Sequence, residues 1–127
     1  MVSTNWRMVG YVFLGGALGT MLRYLISELI NLNIDYPSGE LIAITVVNML
    51  GAYLLGLAAK LPYFQSFFCK NLWAYGFAGG FTTMSAVTVF IDMQGLSWEI
   101  AAMMFFGVLA YGIGYRQGRL AAKEALT

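Results

Sequence analysis

Gly76-Phe77-Ala78-Gly79-Gly80-Phe81-Thr82-Thr83-Met84-Ser85 lies in the middle of an apolar run from about Phe67 to Met93. Its centre resists helix formation. Two adjacent glycines and two β-branched threonines are poor helix material, so the run is expected to be a helix broken near residues 79–83. Carbonyls freed at such a break inside a bilayer must be satisfied by protein, water or an ion. Broken membrane helices aim the N-terminal dipole end of one half at anions and the unwound carbonyls at cations. An ion site is therefore a stronger reading of this stretch than a simple kink.

Three further runs of similar length surround it. They cover roughly Met8–Ile30, Glu40–Ala59 and Ser97–Gln117. A membrane helix takes about 20 residues, so four spans use most of a chain of 127 residues, 60% of them hydrophobic. Only 10% are charged, against about 25% in soluble domains. The expected fold is a single all-α integral membrane domain, residues 1–127, with four transmembrane helices. The first run is too long for the apolar core of a signal peptide and lacks a persuasive cleavage site, so it is read as a membrane helix. Asn31 to Ser38, with Asp35 and Pro37, forms a polar turn, and Lys60 and Pro62 end the second helix.

Charge divides by side of the membrane. Arg7, Lys60, Lys70, Arg116, Arg119 and Lys123 fall on the face shared by the two termini and the second loop. Glu28, Asp35, Glu40, Asp92 and Glu99 fall on the other face without a balancing cation, and Arg23 lies within the first helix. The positive-inside rule places both termini in the cytoplasm of a cell membrane protein that inserts one way.

Several chemistries are disfavoured by composition. There is one cysteine, Cys69, and no histidine, so an internal disulfide is impossible and a zinc site is not expected. Cys69 reads as an ordinary apolar residue near a helix start. No nucleophile–base pair is visible, so the chain is not expected to be an enzyme. No Asp or Glu sits near the middle of a span, which argues against the proton-coupled drug exporters of similar size.

The polar groups left at membrane depth are Arg23, Asn48, Thr82, Thr83, Ser85 and Thr88. Such groups are rare in lipid and mark functional positions by default. Arg23 and the Asn48 amide donate, and the hydroxyls donate or accept, so a path they line suits an anion. The bland alternatives remain open here. Asn48 and the hydroxyls also serve interhelical hydrogen bonding or bonding to the i−4 carbonyl, and Arg23 also serves as a residue snorkelling to the surface. Gly15-x-x-x-Gly19, Gly76-x-x-x-Gly80 and Gly114-x-x-x-Gly118 let helix backbones approach closely. Each alone reads as ordinary packing, and together they point to a compact bundle with an interface to another subunit.

Three motifs carry a resemblance. Gly16-Ala-Leu-Gly19-Thr-Met-Leu-Arg23-Tyr24, Asn48-Met-Leu-Gly51 and the stretch Gly76 to Ser85 occur in order on the first three helices. Along almost its whole length the chain resembles the Fluc (CrcB) fluoride channels. The resemblance implies two subunits packed antiparallel, two narrow fluoride pathways along their interface, and a central structural sodium ion held by backbone carbonyls at the helix break. Gly79 and Thr82 match the carbonyl donors to sodium. Asn48, Thr83 and Ser85 match pathway residues, and Arg23 matches an arginine near the aqueous entrance.

The sequence also departs from that pattern. Met84 and Val87 stand where the family carries phenylalanines, Ala86 stands where it carries a threonine, and the fourth helix has no serine between Trp98 and Gln117. With the one-sided charge, these departures point to one half of a heterodimer with an oppositely oriented paralogue, in preference to self-association. A non-conducting structural or regulatory subunit is the alternative reading. A small transporter with another substrate is a third.

Overall fold

The computed structural model describes residues 5–127, all-helical but for short connections. Four helices are long and apolar enough to cross a membrane. Helix α1 spans Trp6–Asn33 and α2 spans Ser38–Lys60. The third span, α3, covers Phe67–Gln94, and α4 covers Trp98–Ala125. A 3-10 turn, Pro62–Gln65, joins α2 to α3.

Each helix starts or stops for a local reason. The side chain of Asn5 caps α1 by accepting from the backbone N–H groups of Arg7 and Met8, satisfying donors a helix N-terminus leaves free. Ser66 caps α3 through the Cys69 N–H at 3.2 Å. Gly95, with φ of 84°, ends α3 in a conformation that side chains resist. The sequence reading placed the end of the fourth helix at Gln117, but α4 runs on to Ala125. Membrane apolarity ends near Gln117, whereas Leu120 to Lys123 are good helix formers that need no lipid. At 28 residues, α4 is roughly 42 Å long and outruns a hydrocarbon core of about 30 Å, so Arg119 and Lys123 ride on its emergent turns.

The helices pack as two pairs. Helix α1 lies against the first half of α3, and α2 lies against α4. Both contacts are made by glycines. Along α1 the only buried residues are Gly15 and Gly19, and a Cβ on either would collide with the backbone of α3 near Leu72 and Phe77. Gly76 and Gly80 answer from α3, where a Cβ would meet Val12 and Gly16. Gly114 and Gly118 bring α4 onto α2 at Tyr53 and Leu57 in the same way. All three glycine pairs are thus used inside the chain, the ordinary packing role that the sequence allowed them.

Side-chain packing joins the pairs. Ile44 of α2, Val87 and Phe90 of α3, and Ile100 and Met103 of α4 form one buried cluster. Ala58, Phe64, Cys69 and Ala74 form a second at the other end. Elsewhere the apolar surface is outward, as at Trp6 and Phe13, each 77% exposed. That distribution suits lipid or another apolar chain as the surroundings, not water.

Candidate functional site: the break in the third helix

Helix α3 is not uniform. Phe67–Cys69 is α-helical, Lys70–Ala78 is π-helical, Gly79–Phe81 is α-helical again, and a second α-helix runs over Met84–Gln94. Between the halves, Thr82 and Thr83 are extended, with φ/ψ of −82°/155° and −147°/115°. The expected break is present and falls at its C-terminal end, on the threonines.

The break holds because its polar groups find partners. Asn48 of α2 grips Thr83 with both ends of its amide. Its Oδ1 accepts from the Thr83 N–H at 2.7 Å, and its Nδ2 donates to the Thr83 carbonyl at 3.1 Å. Gly51, one turn along α2, leaves the space that the Thr82 methyl group fills. The Asn-x-x-Gly motif is therefore a clamp and a notch for the two residues of the break. Thr83 Oγ1 accepts from the Ala86 N–H at 3.1 Å and caps the second half. It also shares a hydrogen bond with Ser85 Oγ at 3.1 Å. Thr82 turns its hydroxyl back to the Ala78 carbonyl at 2.9 Å. Thr20 of α1 donates to the Gly80 carbonyl at 3.3 Å.

The break takes the i+4 donors from four carbonyls; that of Gly80 accepts from Thr20 instead, and those of Gly79, Phe81 and Thr82 are released. In an unbroken helix Gly79 would accept from the Thr83 N–H, and Thr82 from the Ala86 N–H. The first donor is bound to Asn48 and the second to Thr83 Oγ1. Gly79 is also exposed, and a Cβ there would meet nothing within 4 Å. These are neutral oxygens at a helix C-terminal end, the chemistry that attracts a hard cation.

Two cavities approach the break. One, of about 670 Å³, lies between α2, α3 and α4 and is mainly apolar, with Asn48, Gly79, Thr82 and Met84 on its wall. The other, of about 360 Å³, is the more polar of the two and holds Arg23 and Ser27 of α1, Glu40 of α2, and Thr83 and Ser85 of α3. The Asn48–Thr83 clamp stands between them. The sequence-derived residues are thus gathered at one place but divided between two chambers. Asn48, Gly79, Thr82 and Met84 face the first, and Arg23, Thr83 and Ser85 face the second. Val87 faces neither. It is 2% exposed in the core cluster, whereas Met84 is 60% exposed. Thr88 donates to its own i−4 carbonyl, that of Met84, at 2.9 Å, the bland role open to it. Sequence reasoning missed Thr20, Ser27 and Glu40. Thr20 follows Gly19 inside the first motif and was available there, while Glu40 was read only as an outer-face charge.

The fold and site define a four-helix membrane protein whose third span is interrupted at a hydroxyl-rich stretch, irregular backbone that persists at that depth only where protein or a polar cavity satisfies it. Comparison with known proteins narrows the class. A family model described as "CrcB-like protein, Camphor Resistance (CrcB)" matches residues 10–116. "Fluoride-specific ion channel FluC 1" of Staphylococcus aureus strain Mu50 is 34% identical over 117 residues, covering 90% of this chain and 76% of that protein. "Fluoride-specific ion channel FluC 2" of Corynebacterium jeikeium is 32% identical over 136 residues, covering 87% of this chain and 79% of that one. "Fluoride-specific ion channel FluC" of Gloeothece citriformis is 37% identical over 83 residues, with 59% and 61% covered. The chain belongs to the CrcB family. It is a multi-pass membrane protein of an ion-channel family and not an enzyme.

Proposed function

We propose that this chain is a subunit of a fluoride-selective channel that lets cytoplasmic fluoride leave the cell passively. The observation that carries the reading is the clamped break in α3, with hydroxyl donors and Arg23 on its polar side, in a chain whose relatives are named for fluoride conduction. Fluoride is small and strongly hydrated, so a path must replace its water with well-placed donors. Thr83, Ser85 and the remaining N–H of Asn48 Nδ2 supply them, and Arg23 draws the anion to the mouth.

In this reading the Gly79 and Thr82 carbonyls face a structural sodium ion. One chain offers too few oxygens to surround a cation, so the rest of the shell comes from a second subunit of the same family, packed antiparallel. The ion's contribution is positive potential at the centre of a low-dielectric assembly. The partner lies against the apolar cavity that contains Met84. Both termini are cytoplasmic in the cell membrane, and the one-sided charge favours an oppositely oriented paralogue over a second copy. The second reading, a non-conducting structural or regulatory subunit, is favoured by Met84 and by the absence of serine from α4 between Trp98 and Gln117.

The test is fluoride efflux from liposomes containing the chain alone and then with a paralogue of opposite charge bias, with sodium or a large organic cation present. Sodium-supported efflux that needs the paralogue is the expected result. Efflux from the chain alone removes the heterodimer, and efflux indifferent to sodium removes the sodium site. A chain that gives no efflux by itself and adds none to what the paralogue gives by itself favours the non-conducting subunit.

A further inference from the structure

The polar cavity beside the break carries a group that an anion path has no evident use for. Arg23 and Glu40 are both half-buried, and both line this cavity of about 360 Å³ with Ser27, Thr83 and Ser85. Glu40 is not a loose surface acid. Asn31 of α1 donates from Nδ2 to Glu40 Oε2 at 3.2 Å and holds the carboxylate in place, while its position in the first turn of α2 suits the positive end of that helix. The chamber thus holds one fixed negative charge as well as one positive charge. A cleft with low-dielectric walls focuses the field of the charges that line it, so their balance sets which ions gather there.

We propose that Glu40 determines ion access at this mouth: its carboxylate offsets Arg23 and holds down the fluoride concentration reaching Thr83 and Ser85. The inference rests on the fluoride reading for the identity of the ion, but the electrostatic claim is readable without it. Glu40→Gln keeps an oxygen that accepts from Asn31 and removes only the charge, so the α1–α2 brace survives.

The experiment places a reporter thiol in the cavity. Ser27→Cys in a Cys69→Ala background is reacted in lipid nanodiscs with an anionic and a cationic thiosulfonate of similar size, with Tyr24→Cys as a second reporter should the first fold poorly. Glu40→Gln is expected to raise the anionic-to-cationic rate ratio by roughly three- to tenfold at low ionic strength, with the effect shrinking as salt screens it. The same substitution is expected to speed fluoride efflux, and Arg23→Gln to shift both readouts the opposite way. An unchanged ratio in both reporters overturns the proposal, whether or not fluoride moves. A shifted ratio with unchanged or slower efflux in a conducting assembly overturns it too. A shifted ratio in protein that moves no fluoride in any assembly sustains Glu40 as the determinant of the cavity's charge and sinks the fluoride reading instead.

Discussion

At the scale of single residues, the break is held by a few hydrogen bonds from Asn48 and Thr83. Asn48→Ala would leave the Thr83 N–H and carbonyl without protein partners. A buried group left unpaired costs about 1–3 kcal/mol, so this variant should show a clearly lower unfolding midpoint in detergent and impaired efflux. Met84 and Val87, one turn apart on α3, sit in different surroundings. Met84→Phe adds a ring in open cavity and should be tolerated, with efflux equal to the parent or faster. Val87→Phe forces a ring among Ile44, Phe90, Ile100 and Met103, and overpacking of this kind costs about 1–3 kcal/mol. Equal thermal stability of the two variants would contradict the different placement of these side chains.

At the scale of elements, glycine contacts replace the hydrophobic drive that lipid removes. The α1–α3 pair is built on Gly15 and Gly19 against Gly76 and Gly80, where backbone meets backbone. Gly19→Val should separate the pair, pull Thr20 from the Gly80 carbonyl, and give a heterogeneous species on size exclusion. Gly112→Val serves as the control, because nothing lies within 4 Å of the position of its Cβ. Comparable behaviour of the two would mean that close approach is not what holds the pair. Toward the C-terminal ends of α2 and α4, Lys60 lies over the Tyr115 ring at 5.6 Å and the Tyr53 hydroxyl donates to Gln117 Oε1. These contacts tie α2 to α4 near the face that bears most of the basic residues.

At the scale of the whole molecule, the governing feature is charge. With four spans, six of the seven Lys and Arg residues are assigned to one face, with Arg23 the exception, and the positive-inside rule turns that count into an expected orientation. Reporter fusions at either terminus should be active only as cytoplasmic reporters: fluorescent protein lit, alkaline phosphatase inactive. Moving the basic residues of the second loop and the tail to the opposite loops should invert or mix the insertion. Uniform orientation after that exchange would remove the argument for a fixed topology and, with it, the reason for preferring a paralogous partner.

The four spans, their order and the interruption of the third were legible in the residues themselves. Hydropathy, glycine spacing and helix propensity act locally, and lipid enforces them strictly because backbone groups have no other solvent. Asn48, Thr83 and Ser85 were legible as a set for the same reason, since polar side chains are conspicuous in apolar helices. Their division of labour was not. That Asn48 grips Thr83, and that Met84 faces a cavity while Val87 is buried, depend on how α2 and α4 seat against α3. Glu40 joins Arg23 only through the α1–α2 hairpin. Rotation of a helix about its axis is fixed by its neighbours and leaves hydropathy unchanged, so the tertiary structure alone decided which side of each helix faces the break and its two cavities.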